Sequence, residues 1–151
     1  MVRDGRAALL ELCDRHRIAV DHCGKVIVAV DDLLSTVQDA ETGQRGYLLT
    51  LDPMYLAPYR DARASITATY ARLRELVAGS AGQSATVNSL GPMIDRKSEE
   101  MAQTIALAAD GQVGQALTIM RSDEGERLIT SLRDSQTYVL AGALGRGLFD
   151  Y

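Results

Sequence analysis

Residues 20–48 read VDHCGKVIVAVDDLLSTVQDAETGQRGYL, and the spacing of apolar positions in this stretch decides the fold. Alternate steps of three and four pass through Val20, Cys23, Ile27, Val30, Leu34, Val37, Glu41, Gln44 and Leu48. Carried back towards the N-terminus, the same steps reach His16, Cys13 and Leu9. Nine of these twelve positions are apolar, the period of a helix with one buried seam. No proline precedes Pro53, and between residues 6 and 42 the one glycine, Gly24, falls off the seam. The pattern predicts a single helix from about residue 6 to about 50, roughly 65 Å long at 1.5 Å per residue. A helix of that length belongs in an elongated bundle rather than a round globule.

The remaining elements follow from their punctuation. Asp52-Pro53 supplies a cap and a first-turn proline for a second helix, which runs to about Val77 with Leu56, Tyr59, Ile66, Tyr70, Leu73 and Val77 inward. Ala78-Gly79-Ser80-Ala81-Gly82 is a turn. A third helix spans Gln83 to about Asp110, with Val87, Leu90, Ile94, Met101, Ile105 and Ala108 inward and a bend at Gly91-Pro92. Gly111 closes it, and a short apolar segment follows from Gln112 to Met120. Ser122, with Asp123, Glu124 and Glu126 in the first turn, starts a last helix through Ile129, Leu132, Val139 and Ala143 towards Phe149. The expected fold is all-α: an elongated antiparallel up-down-up-down four-helix bundle with a long first helix and a short extra helix before the last one. That topology sets the two ends of the chain at the same end of the bundle.

Composition agrees. The chain has 151 residues, 46% hydrophobic and 24% charged, with one Phe and no Trp, so the core is aliphatic and one domain accounts for the whole. Sixteen basic against twenty acidic residues give a net charge of −4, which disfavours nucleic acid as a partner. The longest apolar run, Val26 to Val30, is far short of the ~20 residues of a membrane span. Ala7 to Leu10 is too short for the apolar region of a signal peptide.

The first helix breaks its own rule near its end, where Glu41 and Gln44 take seam positions. Arg63 on the second helix stands at similar height, so the pattern predicts a partly buried Glu41–Arg63 ion pair with Gln44 and Tyr59 hydrogen-bonding nearby. A rival seam through Ala62 and Thr69 turns Arg63 outward, and Lys97 is the alternative cation. Such a layer either fixes helix register, as buried polar residues do in coiled coils, or takes part in sensing.

At this layer the residues resemble a known family. Asp39-Ala40-Glu41-Thr42-Gly43-Gln44-Arg45-Gly46-Tyr47-Leu48-Leu49-Thr50, with Pro53, Tyr55-Leu56 and Pro58-Tyr59 after it, is similar to the signature of the CHASE3 domain. Gly111 to Met120 with Ser122-Asp123-Glu124-Gly125 resembles the family's second, looser motif. Leu51 stands where the family commonly has Gly. The resemblance covers roughly residues 21 to 140, leaving 1–20 as an N-terminal helical extension and 141–151 as the end of the last helix, leading towards a membrane or output segment. It implies a helical sensory module on the outer face of the bacterial inner membrane, the periplasmic part of a receptor such as a sensor histidine kinase, a cyclase or a chemotaxis receptor, with flanking transmembrane helices in the parent protein. Any kinase or cyclase activity then lies in other domains.

The site expected from the pattern and the resemblance together is a signalling or ligand-binding layer of Glu41, Gln44, Arg45, Tyr47, Tyr59 and Arg63, responding to an unidentified small molecule or protein. A homodimer is expected, because the long first helix leaves surface the bundle does not cover. The alternative is a soluble structural or adaptor bundle that binds a partner protein, cytoplasmic if free-standing.

Other chemistry finds little support. Cys13 and His16 are close enough to share an ion, but Cys23 lies two turns further, so one helix supplies no tetrahedral zinc site. Both His lie within seven residues of each other near the first helix's free end, where few partners are available for a catalytic triad, and no Glu-x-x-His motif for a di-iron bundle occurs. Gly142, Gly145 and Gly147 lack the strand and lysine of a phosphate loop. Asp31-Asp32 and Glu99-Glu100 read as solvated faces. No catalytic residue, metal or cofactor is expected.

Overall fold

The computed structural model describes residues 5–121 and 127–134, with side chains described from Asp21 onward apart from Cys23. The side chains of Cys13, His16 and Cys23, the expected cap at Ser122, the glycines near residue 145 and the flanking segments 1–20 and 141–151 therefore lie wholly or partly outside the described residues.

The long first helix is present: α1 spans Gly5–Thr50, 46 residues, about 69 Å at 1.5 Å per residue. Its C-terminal stop is unusual. Leu51 adopts φ +57, the left-handed conformation in which glycine is the usual occupant, and its N–H returns to the Tyr47 carbonyl at 2.6 Å. Asp52 then accepts from the Met54 N–H at 3.0 Å and starts a 3₁₀ turn, Pro53–Tyr55, which leads into α2, Leu56–Val77. Ser80, with its Oγ accepting from the Gln83 N–H, caps α3, Ala81–Asn88.

After a one-residue interruption at Ser89 comes α4, Leu90–Ala109. The break lies just before the expected Gly91-Pro92 bend, because Pro92 has no N–H to return to the Asn88 carbonyl. Gly111, at φ +84, ends α4 as read from the sequence: Gln112 N–H bonds the Leu107 carbonyl and Gly111 N–H the Ala108 carbonyl, a Schellman stop. The short segment forms α5, Val113–Met120, and residues 127–134 are again helical.

Side-chain neighbours fix the directions. Gly46 faces Tyr55, and Gly43 faces both Tyr55 and Tyr59, so α1 and α2 are antiparallel. Gln44 meets Thr104, and Leu48 shares a cluster with Ala108 one turn further along both helices, so α1 and α4 run parallel. The main core joins Val26, Val30, Leu33 and Val37 of α1 to Ile66, Leu73 and Val77 of α2, Val87 of α3, Leu90 and Met101 of α4, and Leu128 and Leu132. A second cluster of Tyr47, Leu48, Ala108 and Ala116 closes the distal end, where α5 packs.

The α1 seam is broader than the sequence pattern suggested. Val30, Val37, Gln44 and Leu48 are buried as read, yet Val26, Leu33 and Ala40 are buried too while Ile27, Leu34 and Glu41 are half-buried. A straight 3.6-residue helix drifts from a strict seven-residue repeat, and α1 covers two neighbours at once, so its apolar stripe is wider than one seam.

Candidate functional site

The polar layer lies at the α1–α4 contact. Lys97 on α4 is 5% exposed, and its Nζ stands 3.1 Å from Glu41 Oε1 and 3.6 Å from Glu100 Oε1. Two carboxylates thus flank one ammonium in a largely water-excluded space, where attraction is strong and desolvation costly. One turn further towards the distal end, Gln44, 1% exposed, donates from Nε2 to Thr104 Oγ1 at 2.7 Å. The Thr104 hydroxyl donates in turn to the Met101 carbonyl at 2.9 Å, so it accepts one bond and makes one.

The expected Glu41–Arg63 ion pair is replaced by Glu41–Lys97. Arg63 is exposed, and its Nη1 reaches the Tyr59 hydroxyl of its own helix at 3.5 Å. The reason is the rival seam: α2 buries Tyr59, Ala62, Ile66, Leu73 and Val77, which turns position 63 outward. Of the other residues read into the layer, Gln44, Tyr47 and Tyr59 are buried, Glu41 is half-buried and Arg45 is exposed. Gln44 and Tyr59 are both hydrogen-bonded, Gln44 to Thr104 and Tyr59 to Arg63. Tyr47 joins the distal cluster and Tyr59 the main core.

Glu100, read as solvated, is buried at 6% exposure and belongs to the layer, whereas Glu99 is exposed. The signal was present: Ile94, Lys97, Met101, Thr104 and Ala108 form an unbroken three-four series, and all five are buried. Two glycines also belong to the site. A Cβ at Gly43 would stand 2.9 Å from the Tyr55 carbonyl oxygen and 2.9 Å from Tyr59 Cβ, and one at Gly46 would overlap the Tyr55 ring. They let α2 and the turn before it approach α1 beside the polar layer. Over Gly43 lies an open groove of about 510 Å³ between α1 and α2, with Asp39 and Asp61 on its facing walls.

Among the described residues no group of three His, Cys, Asp or Glu stands close enough to hold a metal ion, and no helix is long and apolar enough to cross a membrane. The arrangement suits mechanical coupling of helices, with opposite charges and hydrogen bonds joining α1 and α4 laterally.

The comparisons agree with this architecture. The sensor domain of the histidine kinase HK9 from Rhodopseudomonas palustris superposes with a TM-score of 0.70 at 24% identity, over 81% of this chain and 95% of that one, which shows a shared fold. No curated protein matches the chain. The model of the CHASE3 domain matches residues 16–139, spanning α1 from His16 to its end, all of α2 to α5 and the helical segment after them, and the chain belongs to this family of receptor sensory domains.

Proposed function

We propose that this domain is the extracytoplasmic sensor of a bacterial membrane receptor, held between transmembrane helices of its parent protein, working as a homodimer and passing a conformational signal along α1. The observation that supports this reading most is the buried polar layer. Glu41 and Gln44 tie α1 to Lys97 and Thr104 of α4 through bonds with discrete geometry, so a lateral change at α4 acts on a rod about 69 Å long rather than on a loop. The layer Glu41, Gln44, Arg45, Tyr47, Tyr59 and Arg63 is then refined: Lys97, Glu100 and Thr104 replace Arg63 as the partners of α1. In this reading the start of α1 lies towards the membrane, and residues 1–20 and 141–151 are the segments that connect the sensor to the rest of its parent protein. The signal is a small molecule or a protein contact.

The test is the paired substitution Gln44→Leu with Thr104→Val in the native gene. It removes the bond while keeping the volume. A shift in basal receptor output at unchanged membrane abundance supports the proposal; unchanged output overturns it and favours a bundle that is structural only.

A further inference from the structure

At the end of α3 two successive carbonyls, Thr86 and Val87, have partners that a regular helix would not give them, and a third, Asn88, faces a residue that cannot donate. Ser89 Oγ donates to the Thr86 carbonyl at 2.6 Å. Tyr70 Oη reaches across from α2 and donates to the Val87 carbonyl at 2.9 Å. The Asn88 carbonyl would take the amide of residue 92, which is Pro92 and has none. Ser89 nevertheless keeps helical angles, φ −65 and ψ −20, so the chain runs from α3 into α4 without a turn, through a weakened ladder.

Tyr70 is half-buried there. Burial raises the pKa of its phenol, with the Arg74 charge and a hydrogen bond from the Gly91 backbone acting in the opposite sense and Asp95 adding to the rise. The hydroxyl thus bonds the Val87 carbonyl and lies beside Gly91, the residue whose N–H an uninterrupted helix would bring to that carbonyl. A Cβ at Gly91 would stand 3.1 Å from Tyr70 Oη, so glycine leaves the room that the hydroxyl occupies. One turn along α2, Arg74 lies 5.8 Å from the Tyr70 ring centroid and donates from Nε to Asn88 Oδ1 at 3.2 Å. Two adjacent side chains of α2 therefore hold the weakened point of the third helix.

We propose that the α3–α4 junction is a hinge and that Tyr70 is the positioning residue that sets its angle. Movement of α2 carries the Tyr70 hydroxyl with it and changes how the Val87–Gly91 step closes. Because α4 bears Lys97 and Thr104, bending at Ser89 displaces the groups bonded to Glu41 and Gln44 of α1. The hinge links α2 to the polar layer, and it stands as a property of the fold whether or not α1 transmits a signal.

Pulsed electron spin resonance on the full chain tests it. Nitroxides go at the exposed positions Ala85 and Gln103, about 27 Å apart along a helix, with Cys13 and Cys23 changed to Ser. Tyr70→Phe keeps the ring and removes the hydroxyl. It is expected to shift or broaden the distance distribution by about 2 Å, the scale of helix shifts in signalling, and to speed amide exchange at Leu90 and Gly91 about fivefold or more. A distribution and exchange rates equal to the parent's overturn the hinge. Should Tyr70→Phe fail to fold, Pro92→Ala decides, since it restores the missing N–H: a narrowed distribution supports the hinge and an unchanged one overturns it.

Discussion

Gln44 and Thr104, 60 residues apart in sequence, share a 2.7 Å hydrogen bond in the interior of the bundle, and it fixes the height of α1 against α4. A buried amide is costly to leave unpaired, whereas an apolar pair of similar shape costs little. Thr104→Val alone, which strands the Gln44 Nε2, is expected to lower stability by about 1–3 kcal/mol. Adding Gln44→Leu should recover most of that loss. Urea denaturation of the four proteins in the cycle measures the coupling; additive effects of the two substitutions would show that the bond does not join them.

The two cations once eligible to pair with Glu41 are separated by a direct comparison. Lys97→Met removes the ammonium between Glu41 and Glu100 and is expected to destabilise by about 3 kcal/mol, the scale of breaking a buried ion pair from one side. Arg63→Ala, on the exposed face of α2, should change stability by less than about 0.5 kcal/mol. Equal losses in thermal unfolding would return Arg63 to the layer.

That contrast shows what the sequence made legible. Helix order, the stops at Asp52-Pro53, Ser80 and Gly111, and the anomaly at Glu41 and Gln44 follow from local pattern, because caps, breaks and period are written in neighbouring residues. The choice between Arg63 and Lys97 as the partner of Glu41 does not. Matching heights across a hairpin finds residues of the next helix, but Lys97 lies on the parallel helix beyond it, and only the bundle's packing brings α4 against α1. Glu100 was misread for a related reason. A pair of adjacent carboxylates resembles a solvated face, although the three-four series through Ile94, Lys97 and Met101 places position 100 beside the buried edge.

The glycines make a second contrast. Gly43→Ala forces a methyl against the Tyr55 carbonyl and Tyr59 Cβ, where backbone must move, and is expected to cost about 1–3 kcal/mol as overpacking does. Gly24 is an exposed glycine in the interior of α1 with no atom within 4 Å of an added Cβ, so Gly24→Ala should stabilise by about 0.5–1 kcal/mol. Opposite shifts of the thermal midpoint check both at once.

Alkaline unfolding reports on Tyr70. Burial raises its folded pKa above the ordinary value of 10.0, so the folded state holds that proton more tightly than the unfolded one. The associated stability is complete below about pH 10 and is lost as pH rises through the folded pKa. Urea midpoints measured at pH 9 and pH 11 should fall more in the parent than in Tyr70→Phe. An equal fall in both would show that Tyr70 titrates alike in the two states.

The stop of α1 carries a stabilising change. Leu51 is held at φ +57, where a side chain crowds its own backbone at a cost of roughly 1–2 kcal/mol, while its N–H bond to the Tyr47 carbonyl keeps it there. Its side chain is 48% exposed, so little packing is lost on removing it. Glycine relieves the crowding but gives back about 0.5–1 kcal/mol through the greater freedom of the unfolded chain. Leu51→Gly is therefore expected to raise stability by about 0.5–1 kcal/mol, and Leu51→Val, branched at Cβ, to lower it. Thermal midpoints of the three proteins in the order Gly, Leu, Val confirm the strained stop; a lower midpoint for Leu51→Gly would mean that the exposed leucine contributes more in packing than its backbone conformation costs.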